Sequence, residues 1–206
     1  MDLTPPSGKP DIRLKTTVFQ GYFRIDAYEL AHPTFDGSMT GVMRREVFER
    51  GHAVAILPYD PVRHEFVMIQ QFRVGAYAGG MNPWQIEVAA GIIEDGETPE
   101  AVAARETHEE TGCTVTGLWP MHHYLVSPGG TTETTKLYLG RVSTANAGGI
   151  FGVATEHEVI RAVVVTEDQL RALLEDGRLE NAASLIAVQW FFLNRDKILA
   201  KWSTRT

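Results

Sequence analysis

Cysteine is nearly missing: Cys113 is the only one in 206 residues. A single thiol cannot close an intrachain disulfide, so packing has to hold the fold, and a reducing compartment is expected. Long apolar runs are lacking too. The longest, around residues 185–193, falls far short of the roughly 20 residues that span a bilayer. The opening MDLTPPSGKPDIRLKTT has no apolar core of signal-peptide length. The expectation is a cytoplasmic protein with no membrane partner. Positive charge is scarce: 19 Lys and Arg against 26 Asp and Glu leave a net charge of −7. That argues against a nucleic-acid surface, which needs clustered basic residues. It does not exclude a small anionic ligand, because a divalent metal can bridge acidic groups to phosphates.

With 44% hydrophobic and 22% charged residues, the composition is that of an ordinary globular chain. The length suits one well-buried core, or one core plus a small accessory unit. Residues 1–15 carry Pro5, Pro6 and Pro10 and read as a loose arm. TTVFQGYFRIDAYEL, residues 16–30, is rich in β-branched and aromatic residues and predicts one or two strands. HPTFDGSM is a turn cluster, and SMTGVMRREVFERG reads as another strand. So few strands are marginal alone, so the first fifty residues form either an extra sheet layer or a part exchanged with another subunit.

Beyond them, HAVAILPYD and EFVMIQQFRVG flank the turn DPVRH as a hairpin-like pair. WQIEVAAG, TKLYLGRV and EVIRAVVVT read as further strands. Helices are predicted over residues 98–111, 166–176 and 181–201. Thr98 caps the first, Pro99 suits its first turn and Gly112 ends it. Gly177 stops the second, and the third carries Leu185, Ile186, Val188, Trp190, Phe191, Phe192 and Leu193. Strands and helices interleave without a regular βαβ rhythm, which favours an α/β or α+β layered fold with a mixed sheet.

The stretch GIIEDGETPEAVAARETHEETGC, residues 91–113, concentrates acid. Glu106, Glu109 and Glu110 lie at i, i+3 and i+4, which places three carboxylates on one helical face. They sit in the C-terminal half, where the helix dipole disfavours negative charge. Two readings fit: a solvated acidic face, or a site for a hard divalent cation such as Mg²⁺, whose oxygen-ligand preference would reverse the repulsion.

The spacing of Gly91, Glu97, Arg105, Glu106, Glu109, Glu110 and Gly112 resembles the Nudix box. This is the loop–helix–loop signature of enzymes that hydrolyse nucleoside diphosphates linked to another moiety. Thr107 and Cys113 depart from it, occupying slots where the family has bulky aliphatic residues. The resemblance implies an α/β/α sandwich with a mixed sheet. It further implies that Glu106, Glu110 and the carbonyl of Ala90 bind Mg²⁺, with Mn²⁺ as a substitute. Glu109 belongs to the same catalytic cluster, and Arg105 and Glu97 form a supporting ion pair.

Pro128, sixteen residues beyond Gly112 within SPGGTTE, resembles the marker of the ADP-ribose pyrophosphatase branch. GYFRIDAYEL, FRVGAY and ENAASLIAVQWF extend that resemblance over nearly the whole chain. It implies a small β domain over residues 1–51, exchanged across a homodimer, ahead of a Nudix domain over residues 52–206. Tyr22 and Phe23 would stack on adenine across the dimer. Arg45, Glu46 and Arg50 would contact base and ribose–phosphate. Arg73 would pair with a phosphate, Ile92 would line the pocket, and Ser127, Gly129 and Glu133 would hold the terminal ribose. In the 148–160 loop, Glu156 aligns with a general base and Glu158 with a further metal ligand. The implied reaction is hydrolysis of ADP-ribose to AMP and ribose 5-phosphate. The rivals are another nucleoside diphosphate sugar, such as GDP-mannose, and a non-catalytic ADP-ribose sensor. His157, between the two acids, is read as a bystander and not a proton carrier, and no pair among His108, His122 and His123 has the context of a zinc site.

Overall fold

Alternating and continuous apolar runs divide the chain into half-buried and fully buried strands. The computed structural model describes residues 1, 3–153, 155 and 157–203. Met1–Gly51 with Leu125–Glu133 forms one compact unit, and His52–Tyr124 with Thr134–Thr206 forms the other.

In the first unit, β1 (Asp11–Gln20), β2 (Arg24–Ala31) and β3 (Met43–Glu49) form an antiparallel sheet in that order. The loose arm ends earlier than the prolines suggested. β1 starts at Asp11, because Asp11 and Ile12 already pair with Ala31 and Leu30, and ladder hydrogen bonds outweigh weak local propensity. Every residue of β1 is exposed, including Ile12, Leu14, Val18 and Phe19. The buried carboxylate of Asp26 accepts from Thr17 Oγ1 at 2.8 Å and faces Lys15 at 3.2 Å and Arg24 at 3.1 Å. Leu125–Glu133 joins this unit through β3: Phe48 N–H donates to Gly130 O at 2.8 Å, and Thr131 Oγ1 donates to Phe48 O at 2.9 Å.

The second unit contains β4 (Ala53–Asp60), β5 (Glu65–Phe72), α1 (Val74–Ala78), β6 (Trp84–Glu87), β7 (Ala89–Ile92), α2 (Pro99–Thr111), β8 (Gly117–Leu125), β9 (Thr134–Arg141), β10 (Gly149–Phe151), β11 (Ile160–Thr166), α3 (Glu167–Glu175) and α4 (Ala182–Ser203). The sheet order is β10-β11-β5-β4-β9-β8, with β6 on β5 and β7 on β4. β4 and β9 are parallel while β4 and β5 are antiparallel, so the sheet is mixed. Helices cover both faces, as AVAILPYD demands. Ala55, Leu57 and Tyr59 pack with Phe66, Leu170 and Phe191 on the α3–α4 side. Val54 and Ile56 pack with Val102 and Ala103 of α2 on the other. Tyr59 has ring centroids 4.7 Å from Phe66 and 4.8 Å from Phe191. Each such buried ring contributes about 1.5–3 kcal/mol. Among the described residues, no helix is long and apolar enough to cross a membrane.

The expected hairpin of β4 and β5 is real but short. Only Tyr59↔Phe66 and Asp60↔Glu65 pair. Beyond them the strands part, and WQIEVAAG fills the gap as two strands: β6 pairs with β5 and β7 with β4. This split, the short α1, β8 and β10 have no counterpart in the sequence expectations. β8 carries Pro120, His122 and His123 and sits at the sheet edge, where such residues are tolerated.

A polar clasp ties α3 and α4 to the β4–β5 turn. Glu167 accepts from Tyr59 Oη at 2.8 Å and from Arg195 Nε at 2.6 Å, and it lies 3.2 Å from His64 Nδ1. Burial alone would raise the Glu167 carboxyl, but the hydrogen bonds from Arg195 and Tyr59 and the Arg195 charge hold it below the usual 4.5. A depressed folded-state pKa means stability present above the unfolded pKa and lost as pH falls through the folded one. Glu167→Gln is therefore expected to destabilise the protein by about 1–3 kcal/mol at pH 7. In urea unfolding series run from pH 7 to pH 3, the gap to the parent should close on the acid side; a gap independent of pH would refute the clasp's ionic character.

Candidate active site

α2 begins and ends where its sequence dictates. Thr98 Oγ1 accepts the Ala101 N–H at 3.3 Å, and Gly112 closes the helix in the left-handed region at φ 70°. The two departures from the box pattern are absorbed by packing. Thr107 is fully buried and donates to Ala103 O at 2.7 Å. Cys113 packs with Val67, Val142 and Ala162, and burial raises its thiol pKa.

The three acids on one helix meet three environments. Glu110 points inward, 4% exposed, and its Oε2 accepts the Ala90 N–H at 3.0 Å. Ala90 thus meets the cluster through its amide. Glu106 is half-buried beside β7. A Cβ on Gly91 would fall 1.9 Å from Glu106 Oε1, so any side chain there would displace the Glu106 carboxylate. Glu109 points outward to solvent. Arg105 spans two of the carboxylates, with Nη1 donating to Glu106 Oε1 at 2.9 Å and Glu109 Oε2 at 3.0 Å. Its Nε lies 3.5 Å from Glu97 Oε1, and Glu97 Oε2 accepts the Glu94 N–H at 3.0 Å.

Electrostatics make this cluster expensive as it stands. Burial, with Glu106 and Glu158 adding repulsion, raises Glu110 to about 8 despite the Ala90 amide and Arg73. Glu106 is raised by burial and by the charges of Glu109 and Glu158, against the pull of Arg105. Desolvated carboxylates of like sign fit a hard, oxygen-liganded divalent cation, whose charge inverts the local preference. Among the described residues no three His, Cys, Asp or Glu groups close around one point, and Arg105 is the cation that bridges the pair.

Glu158 enters this charge cluster from the loop before β11. Its N–H bonds Val153 O at 3.3 Å, and Gly152, at φ 108°, leaves room for the Glu158 carbonyl, which a Cβ would approach to 2.6 Å. Glu156 lies outside the described residues. Ile92, partly exposed, ends β7. Arg73 Nε donates to Glu87 Oε2 at 2.7 Å. Glu87 is buried and also accepts from Asn181 Nδ2, while Asn181 Oδ1 receives the Ser184 N–H at 2.8 Å. Neither Glu87 nor Asn181 was foreseen. The available signal was a lone acid inside the apolar run WQIEVAAG.

The remaining candidates lie in the first unit. Tyr22 is almost fully exposed and meets Phe23 edge-on at 4.8 Å. Phe23 meets Phe48 at 5.0 Å, and the Arg50 guanidinium sits 5.6 Å from the Phe23 ring centroid. Arg50 in turn lies 3.5 Å from Glu133. Arg45 is exposed, and its Nη1 donates to the Arg44 carbonyl at 2.9 Å; Glu46 pairs with Arg44 at 2.7 Å. Ser127 O receives the N–H groups of Gly130 and Thr131, and Gly129 faces open space.

The chain is similar to known proteins over most of its length. An ADP-ribose pyrophosphatase of Escherichia coli K12 is 43% identical over 198 residues, covering 95% of each chain. One from Haemophilus influenzae is 35% identical over 90% of this chain and 87% of its own. A GDP-mannose pyrophosphatase of Enterobacter sp. is 32% identical over 71% of this chain and 76% of its own. A solved ADP compounds hydrolase shares the fold at TM-score 0.69 and 22% identity, over 96% of this chain and 98% of its own. The NUDIX domain family matches residues 49–188, the span that holds Gly91, the acids of α2, Arg73 and Glu158. The chain belongs to the NUDIX family.

Proposed function

We propose that this hydrolase cleaves the diphosphate of ADP-ribose to AMP and ribose 5-phosphate with a divalent metal, Mg²⁺ or in its place Mn²⁺. The observation that carries the substrate is the 43% identity to an ADP-ribose pyrophosphatase across 95% of both chains, against 32% over 71% for the GDP-mannose relative. The site chemistry supports the reaction type. Glu106, Glu110, Glu158 and the Ala90 carbonyl would hold the metal, which supplies charge neutralisation for the diphosphate and activation of water.

The residues divide the remaining work. Arg73, its Nε engaged by Glu87, would offer its terminal nitrogens to a substrate phosphate, and a guanidinium fixed at one nitrogen loses little freedom on binding. Arg105 holds Glu106 and Glu109 and, through Glu97, the loop that precedes α2. Glu156 would take the proton from the attacking water, most directly at the adenosyl phosphorus. Ile92 would line the pocket. Tyr22 and Phe23 would stack on adenine, and Arg45, Glu46 and Arg50 would bind base and ribose–phosphate. Ser127, Gly129 and Glu133 would hold the terminal ribose. The N-terminal sheet, residues 1–51, would be exchanged across a homodimer, a reading supported by the exposed Ile12, Leu14, Val18 and Phe19 of β1.

Glu106→Gln and Glu110→Gln should each lower kcat by several orders of magnitude. The folded state should survive, and because burial forces Glu110 to take up a proton, replacing it with a neutral amide should leave Tm equal or higher. Near-parental turnover in either variant would remove it from the metal set. Tyr22→Ala should raise KM with little change in kcat, because stacking on adenine is binding common to ground and transition states; a fall in kcat alone would place Tyr22 elsewhere. In parallel kinetics, kcat/KM should be higher for ADP-ribose than for GDP-mannose, and the reverse order would sink the substrate assignment.

A further inference from the structure

Gln71 lies on β5 two residues before Arg73 and is 4% exposed. Its Nε2 is buried and has no hydrogen-bond partner among the described residues. Arg24 Nε is the other such atom, and it faces Asp26 Oδ1 at 3.1 Å. An unpaired buried amide is unusual, because such a group loses its hydration without replacement. Glutamine inside an otherwise apolar strand, EFVMIQQF, therefore needs a reason.

The strand pattern says which way Gln71 faces. Phe66 and Met68 pack with Phe191 and Ile198 of α4, whereas Val67 packs with Cys113, just past α2, and with Ala162. Side chains alternate with period two, so Gln71 shares the Val67 face, the face covered by α2. The register says what lies beside it. Gln71 pairs with Gln85, whose own amide is engaged by Asn82 O and Glu180. On the other side, β11 pairs with β5 as far as Arg161↔Gln70, so the chain arriving from Glu158 reaches β5 beside Gln71. Two residue pairs along, on the same face, stands Glu87 opposite Ile69. The Glu110 carboxylate is repelled by Glu158 and attracted by Arg73, and by the same alternation Arg73 follows Gln71 on this face. Glu110 receives the Ala90 amide on Oε2.

Resting on the metal-dependent reading above, we infer that Gln71 is a positioning residue. It supplies, from the strand floor beneath α2, a hydrogen-bond donor to the carboxylates of Glu110 and Glu158 as a divalent ion gathers them. A neutral donor suits this position. It orients carboxylates without adding a charge that would compete with the cation, and it stabilises their ionised form.

Gln71→Met, close in length, and Gln71→Leu both remove the donor. Mn²⁺ titration of the full-length protein by calorimetry, without substrate, reads the effect directly. Both variants should bind Mn²⁺ about 10–100-fold more weakly than the parent. Turnover of ADP-ribose should show a lowered kcat with KM within about twofold. Metal-free Tm should be unchanged or higher, since an apolar side chain replaces an unpaired amide. Unchanged Mn²⁺ affinity in either folded variant, while the parent binds normally, would overturn the role of Gln71 alone. A metal-free Tm several degrees lower in both variants would overturn it in favour of a packing role. If the parent itself bound no Mn²⁺, the metal-dependent reading would fall and this inference with it.

Discussion

The burial of Glu110 against β7, with Glu106 in the space a side chain on residue 91 would fill, is the constraint on which the site depends. An ionised carboxylate taken out of water costs several kcal/mol unless something compensates it. Like-charge spacing along a helix costs only about 0.2–0.5 kcal/mol. The dominant anomaly is therefore the depth of Glu110, with the i, i+3, i+4 repulsion a minor addition. That depth follows from α2 lying flat on Val54, Ile56 and Ala89, with Val102 and Ala103 between. A glycine at residue 91 leaves the Glu106 carboxylate its place against β7.

Two arginines mark the sides of the cluster, each held by acids from another segment. Arg105 links Glu97 of the preceding loop to Glu106 and Glu109 of the helix, so ion pairs tie the loop to α2. Arg73 leans on Glu87, which the N-terminal end of α4 anchors through Asn181. The helix that fills the core with Phe191 and Ile198 thus also sets the aim of a cationic side chain on the opposite end of the strand framework. Core packing and site geometry are coupled through this one buried glutamate.

Much of the framework was legible in local chemistry. Thr98, Pro99 and Gly112 bound α2 as caps and breakers do, and Thr166 with Gln169 forms the reciprocal cap of α3. AVAILPYD, unbroken and apolar, is a strand buried on both faces. Legibility failed where pairing overrides local preference. Asp11 and Ile12 became strand because Ala31 and Leu30 were there to pair with. WQIEVAAG became two strands because β4 and β5 diverge and leave two separate edges. No period in eight residues encodes that bend.

By itself, the sequence determined the chemistry available: seven residues at box spacing, acids on one helix, an aromatic pair at Tyr22 and Phe23, and arginines at 45, 50, 73 and 105. Those follow from residue identity and helical geometry, both local. Tertiary structure alone decided which acid was buried and which stayed in water. It also decided that Arg73 is held by Glu87 and that the amide nitrogen of Gln71 is buried with no hydrogen-bond partner among the described residues. Burial and partner choice depend on what other segments bring to the same place, and a linear spacing carries no record of that.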